Sequence, residues 1–365
     1  NDYKLLKNTA GANGVSLFDD CPENWYTHEI NHYAHARYGW DADMNRDEFL
    51  EDYCRARYGK AFEPMKAYIR QMDEAMNYRN IPGKVPGNPF PQLPNALKKL
   101  EKCWQSINTA KDLTDDKTTL RMIDKTEAGL RYVTQDLRSM YYEALFEKNS
   151  SIEALEKAVN AQRQVMDIVE NYEGVILYDH GSWKRHHTGV PARMANYIQL
   201  LDTLKNPDPD NLALAANGAR IISAPKGSGS GWRAPDAIID GVTGGLFESM
   251  DIKGKRIFHC MVTKPPEPAV FEIKLAETDR IDTVRIYQVE DENNKRMARQ
   301  VTLFVAETDG DYRKLRTYQL TACPVDGHKI QIPPTEAAKV KLAFADFANP
   351  SRLGIIEVEV FRVGD

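Results

Sequence analysis

The short apolar run Val15-Ser16-Leu17-Phe18 ends in two carboxylates, Asp19 and Asp20. At the C-terminal end of a barrel strand such residues face the active site. Paired carboxylates in that position do the acid–base work of glycoside hydrolysis, and the second one would sit on another strand. The simpler alternative is that Asp19-Asp20 caps the helix that follows. On that helix, His28-Glu29-Ile30-Asn31-His32 puts two histidines on one face at i, i+4, as on zinc-binding helices. Zinc needs a third ligand and none announces itself, so structural histidines are the better reading. Trp183 and His186 stand with His180 and His187 in one loop, and Trp232-Arg233 follows Lys226-Gly227-Ser228-Gly229-Ser230-Gly231. A flat apolar face beside hydrogen-bonding groups is what sugar recognition needs. The same loops could equally wedge one domain against another. No helix is expected after Gly-Ser-Gly, which argues against a phosphate cradle.

Net charge is −5 over 365 residues, and the densest cationic run, Lys184-Arg185-His186-His187, is short and solitary. Nucleic-acid binders show a basic face or stripe, so a nucleic-acid partner is not expected. The longest apolar stretches, such as 175–178, are far too short to cross a bilayer. Asn1-Asp2-Tyr3-Lys4 has neither the basic nor the apolar region of a leader. That fits a cytosolic chain or one whose signal has been removed. The five cysteines, at 21, 54, 103, 260 and 323, form no CxxC. They read as small buried apolar residues rather than a zinc ribbon.

Helical periodicity dominates up to about position 205 and short alternating runs follow it. The helix, glycine-rich turn, strand and helix over 1–40 read as one parallel α/β unit. A lone strand cannot satisfy its own backbone groups, so 1–40 reads as the tail of a larger α/β domain. Asn45 is expected to cap a helix with an acidic first turn, broken at Tyr58-Gly59. A helix from Pro64 to about 78 follows, with Met65, Tyr68, Ile69, Met72 and Met76 as its core stripe. Pro82, Pro86, Pro89, Pro91 and Pro94 exclude a helix or central strand over 80–94. Amphipathic helices are expected over 95–111, 116–146, 151–172, with a capped start at Ser151, and 192–204. Asn206-Pro207-Asp208-Pro209 marks a boundary. Strands are expected over 270–275, 283–287, 301–305, 329–332, 340–344 and 356–360, an antiparallel sandwich.

Three stretches of the β region come in a telling order: Ala237-Ile238-Ile239-Asp240-Gly241-Val242-Thr243, then 271–275 with 281–287, then the closing 353–361. They resemble the Asp-Gly loop, two central strands and closing strand of the discoidin domain. That family, also called the coagulation factor 5/8 type C domain, is a galactose-binding-like jelly roll. Many relatives are bacterial carbohydrate-binding modules with a structural calcium near the Asp-Gly loop. The resemblance implies Asp240 and Glu357 as carboxylate ligands, with Thr243 and nearby backbone carbonyls adding oxygens. Calcium takes six to eight such hard oxygens. Here Gly244-Gly245-Leu246-Phe247 stands where the family has a tryptophan. A turn in which Asp240 caps its own backbone stays open as the alternative.

Glu29-Ile30-Asn31-His32-Tyr33, Tyr38-Gly39-Trp40-Asp41-Ala42-Asp43 and the stretch 48–65 resemble a second family. It is a bacterial domain of unknown function that follows a (β/α)8 barrel in proteins related to α-glucuronidases. Together the resemblances imply a multidomain α plus β chain. Residues 1–40 would be the terminal strand and helix of a TIM barrel, 41–205 a helical domain, 206–212 a linker and 213–365 a jelly-roll sandwich. They imply the C-terminal portion of a carbohydrate-processing protein, a glycoside hydrolase whose isolated portion is inactive. Its partner would be a glycan or polysaccharide, its place the periplasm or the cell exterior, and calcium its one cofactor. The alternative is a non-catalytic glycan-binding or purely structural interaction protein.

Overall fold

The computed structural model describes residues 8, 25–76, 92–172, 190–229, 234–243, 260–289, 296–320, 324 and 326–364. Backbone packing divides the chain into two compact units, Asn1–His186 and His187–Asp365.

The first unit is helical: α1 (Trp25–Trp40), α2 (Arg46–Tyr58), α3 (Phe62–Met76), α4 (Leu93–Asp112), α5 (Lys117–Asn149) and α6 (Ile152–Asn171). Polar side chains start these helices by accepting otherwise unpaired first-turn amides. Asn45 takes the Asp47 amide at 2.7 Å, Asp116 that of Thr119 at 2.7 Å, and Ser151 that of Ala154 at 3.3 Å. Gly59, at φ +50°, ends α2 at the expected break. Pro94 does not exclude helix, because α4 takes it into its first turn, where no amide is required. Met65 is fully buried, and Ile69, Met72 and Met76 pack beside Leu100, Ile107, Ile123, Leu130 and Leu137. Full burial of such side chains contributes about 1.5–3 kcal/mol each. α1 joins this unit through Tyr33, whose ring lies 5.6 Å from Phe49 and 5.4 Å from Tyr53 of α2. The strand expected at 15–18, on which the TIM-barrel expectation rests, lies outside the described residues.

The second unit opens with α7 (Val190–Lys205) and continues into β1 (Arg220–Ser223), β2 (Cys260–Thr263), β3 (Ala269–Gln288), β4 (Ala298–Ala306), β5 (Arg313–Gln319), β6 (His328–Phe347) and β7 (Arg352–Arg362). The strands pair in the order β2-β7-β3-β6-β4-β5, with β1 beside β3. Every pairing is antiparallel. The expected pairs 270–275 with 283–287, and 329–332 with 340–344, are each one long strand. Register shifts at Lys274/Asp279 and Ile281/Thr283 absorb the charged and proline-bearing middles. Inward positions of all the long strands meet in one core around Phe271, Ile286, Leu303, Leu342 and Phe344.

The packing boundary differs from the sequence-based one. α7 groups with the sheet rather than with the other helices, and the expected linker is hydrogen-bonded to the sheet. Leu212 donates its amide to the Val360 carbonyl at 2.7 Å, and its carbonyl accepts the Ala276 amide at 2.9 Å. The Asn211 carboxamide accepts the amides of Ala213 and Val360, both at 3.1 Å. A proline-rich, polar stretch reads as a linker because side-chain caps of this kind leave no periodic signal.

Candidate carboxylate site at the Asp240 loop

A short 3-10 turn, Pro235–Ile238, anchors the loop by burying Ala237 and Ile238. Asp240 Oδ1 then accepts the Val242 amide at 2.9 Å, which is the self-capping turn. The next residue, Gly241, sits at φ +81° and donates its amide to Glu357 Oε1 at 3.1 Å. Glu357 projects from β7 opposite Tyr287 of β3. It is fully buried, and its Oε2 has no hydrogen-bond partner. The turn and the carboxylate pair coexist, since the two carboxyls are close enough to act on each other electrostatically.

Burial pushes the Asp240 carboxyl up, even though this residue keeps some solvent contact. Burial pushes Glu357 well up too, and the neighbouring Asp240 charge adds to it. Two carboxyls in contact cannot both ionise unless something positive lies between them. A proton or a cation meets that need. The ligands that the resemblance implies are all hard oxygens: the Asp240 and Glu357 carboxyls, the Thr243 hydroxyl and loop carbonyls. Together with the orphaned Glu357 Oε2, that set fits calcium. Among the described residues no group of three or more His, Cys, Asp or Glu could hold a metal, so any remaining ligands would be neutral oxygens.

Sequence reasoning missed two features beside this site. Gln199 Nε2 of α7 donates to Thr243 Oγ1 at 2.9 Å, and the Thr203 hydroxyl reaches the Gly241 carbonyl at 3.5 Å. No motif marks either residue; the glycine was the available signal of a close approach. Next to Glu357 on the same face, Glu359 Oε2 accepts from Arg285 Nη1 and from the Tyr287 hydroxyl, each at 3.1 Å. Burial raises the Glu359 carboxyl and pushes the Tyr287 phenol up to about 12. The alternation of Arg285 and Tyr287 on β3 with Glu357 and Glu359 on β7 could have revealed that cluster.

Asp19, Asp20, Trp183, His186, Trp232 and Arg233 lie outside the described residues, as do the side chain of His28 and the run Gly244-Gly245-Leu246-Phe247. His28 to His32 has the full His-Glu-x-x-His spacing of a zinc-protease helix. Its glutamate, however, forms an ion pair with Arg57. That pairing of α1 with α2 favours a structural role.

No family model matches the chain, and no curated protein matches it. Similar solved structures are carbohydrate-binding modules. The family 32 module of C. perfringens NanJ, in complex with galactose, is 11% identical over 42% of this chain and 98% of that chain, with a TM-score of 0.32. The family 32 module of Streptococcus pneumoniae EndoD is 13% identical over 42% of this chain and 99% of that chain, with a TM-score of 0.31. A Streptococcus pneumoniae fucose binding module is 20% identical over 43% of this chain and 98% of that chain, with a TM-score of 0.31.

Proposed function

We propose that residues 187–365 form a glycan-binding module with a structural calcium, carried by a carbohydrate-processing protein. One observation carries this reading. The three stretches that resemble the discoidin domain are distant in sequence and adjoin in the folded unit. The Asp-Gly loop bonds Glu357 of the closing strand, and that strand pairs with β3 from Ile281 to Gln288. Stretches matched by coincidence would have no reason to meet.

Asp240 and Glu357 would hold the calcium, with Thr243 and loop carbonyls completing its oxygen shell. When bound, the ion supplies the positive charge that the buried pair lacks. Trp232 and Arg233 are this module's candidate sugar contacts, offering a ring face and hydrogen-bond donors; Trp183 and His186 precede the module and are separate candidates. For the whole protein we infer a glycoside hydrolase related to α-glucuronidases, acting in the periplasm or outside the cell. Asp19 or Asp20 would stand at the end of its last barrel strand, and the present portion would be inactive alone. The bonds from α7 to the loop favour a second reading, in which the sandwich is a structural brace and binds no sugar.

A glycan array probed with the full chain, with calcium and with chelator, tests the proposal. Saturable binding to one glycan class that weakens on chelation supports it. An array without hits under both conditions overturns the glycan reading in favour of the brace.

A further inference from the structure

The loop that carries Asp240 is gripped on its outer side by a helix from before the sandwich. Gly241 is the centre of that grip. Its amide bonds Glu357 and its carbonyl takes the Thr203 hydroxyl. A Cβ at Gly241 would lie 2.5 Å from Thr203 Cγ2, 2.9 Å from Thr203 Oγ1 and 3.0 Å from Leu214 Cδ1. A larger residue would have to displace Thr203 and Leu214 and hold a backbone conformation that favours glycine. Two positions on, Gln199 occupies one lone pair of the Thr243 hydroxyl and leaves the second available. The segment after α7 adds another tie, the Ala215 amide to the Ile239 carbonyl at 2.8 Å. The loop that would supply the remaining oxygens is thus tied to α7 and its following segment at three described points.

We propose that α7 is the outer half of the calcium site: Gln199 and Thr203 hold Thr243 and Gly241 in place and so tie cation binding at Asp240 and Glu357 to the docking of α7. The inference rests on the calcium reading and extends it to two positioning residues outside the discoidin-like stretch. Linkage makes the coupling reciprocal. Cation binding steadies α7 on the loop, and loosening α7 weakens the cation. Partners that orient a metal's ligands commonly cost ten- to a hundred-fold in affinity when removed.

The test uses the 365-residue chain stripped with chelator and titrated with calcium chloride by calorimetry, beside Q199L, T203V, T203S and D240N. Hydrogen exchange over 190–205 is followed with and without calcium. The expected result is slower exchange over 190–205 on calcium addition in the parent chain. Q199L should lose on the order of tenfold in calcium affinity; T203V should also weaken binding, and T203S should restore it. A purely structural role for Gln199 would lower the calcium-free melting temperature and leave the affinity unmoved. Should Q199L fail to fold, the near-isosteric T203V carries the same comparison. If both variants bind calcium like the parent while D240N does not, the calcium reading stands and this proposal falls. If the parent binds no calcium, both fall together.

Discussion

Glu357 on the last strand accepts the amide of Gly241, 116 residues earlier in the chain, at 3.1 Å. That bond brings the Asp240 side chain against a fully buried carboxyl whose second oxygen is unpaired. An unpaired buried acceptor is costly, and an ionised one more so. The fold keeps this arrangement without an arginine or lysine bonded to either group among the described residues. A proton on the pair, or the cation proposed above, would relieve that cost.

Stability without calcium should fall as pH rises. Burial raises the Glu357 carboxyl above its ordinary 4.5 in the native state. The native chain then holds a proton that the unfolded chain releases. The associated stability is complete below the unfolded value and is lost as pH climbs from there through the native one. Each such proton changes stability by at most about 1.4 kcal/mol per pH unit. Thermal melts in chelator from acid to neutral pH, parent minus E357Q, should show a difference that shrinks steadily with pH. Calcium should reverse the trend, since it competes with the proton. A difference that grows with pH in chelator would contradict the raised carboxyl.

Gly241→Ala should destabilise the second unit. The residue has φ +81° and its missing Cβ space is filled by Thr203. A non-glycine residue in that conformation costs on the order of 1–3 kcal/mol before the clash is counted. Urea unfolding should report that loss, and T203A in the G241A background should recover the contact part alone. A G241A midpoint equal to the parent's would mean that the helix and loop are not held this closely.

Much of the helical unit was legible because its signals are local. Asn45 and Ser151 sit where short polar side chains precede apolar periodicity, and the structure uses them as caps. The sheet was legible in its inward apolar positions and less so in its connections. Glu277-Thr278-Asp279-Arg280 and Pro333-Pro334 look like turns, yet each lies within a continuous strand, because a bulge lets the partner ladder skip them. β5, with its run Arg313-Lys314-Leu315-Arg316, is an edge strand with no fully buried position, so it carries no alternation to read. The carboxylate pair itself was reachable only through family resemblance. Nothing in the local sequence around Asp240 points to position 357.

The described cysteines should resist alkylation in the native state. Cys54, Cys103 and Cys260 are free and buried. Burial pushes the Cys54 thiol up to about 12 and the Cys103 and Cys260 thiols up to about 11. The reactive species is the thiolate, which is scarce at pH 8 for such groups. Iodoacetamide followed by peptide mass spectrometry should label these three only after denaturation. Rapid native labelling of Cys260 would mean that the β2 end of the sandwich opens readily.

The two cores should fail separately. Phe271 is fully buried at the centre of the sandwich, its ring set edge-on to Phe344 at 6.0 Å and 83°. Phe271→Ala removes that contact and leaves a cavity, at a cost of about 3–5 kcal/mol. Leu100 is equally buried in the helical core, where Leu100→Ala should cost about 2–5 kcal/mol. Because the two residues belong to different core clusters, each change should lower one melting transition and spare the other. Calorimetry of the parent and both variants checks this. Joint displacement of both transitions by either substitution would show that the units unfold as one.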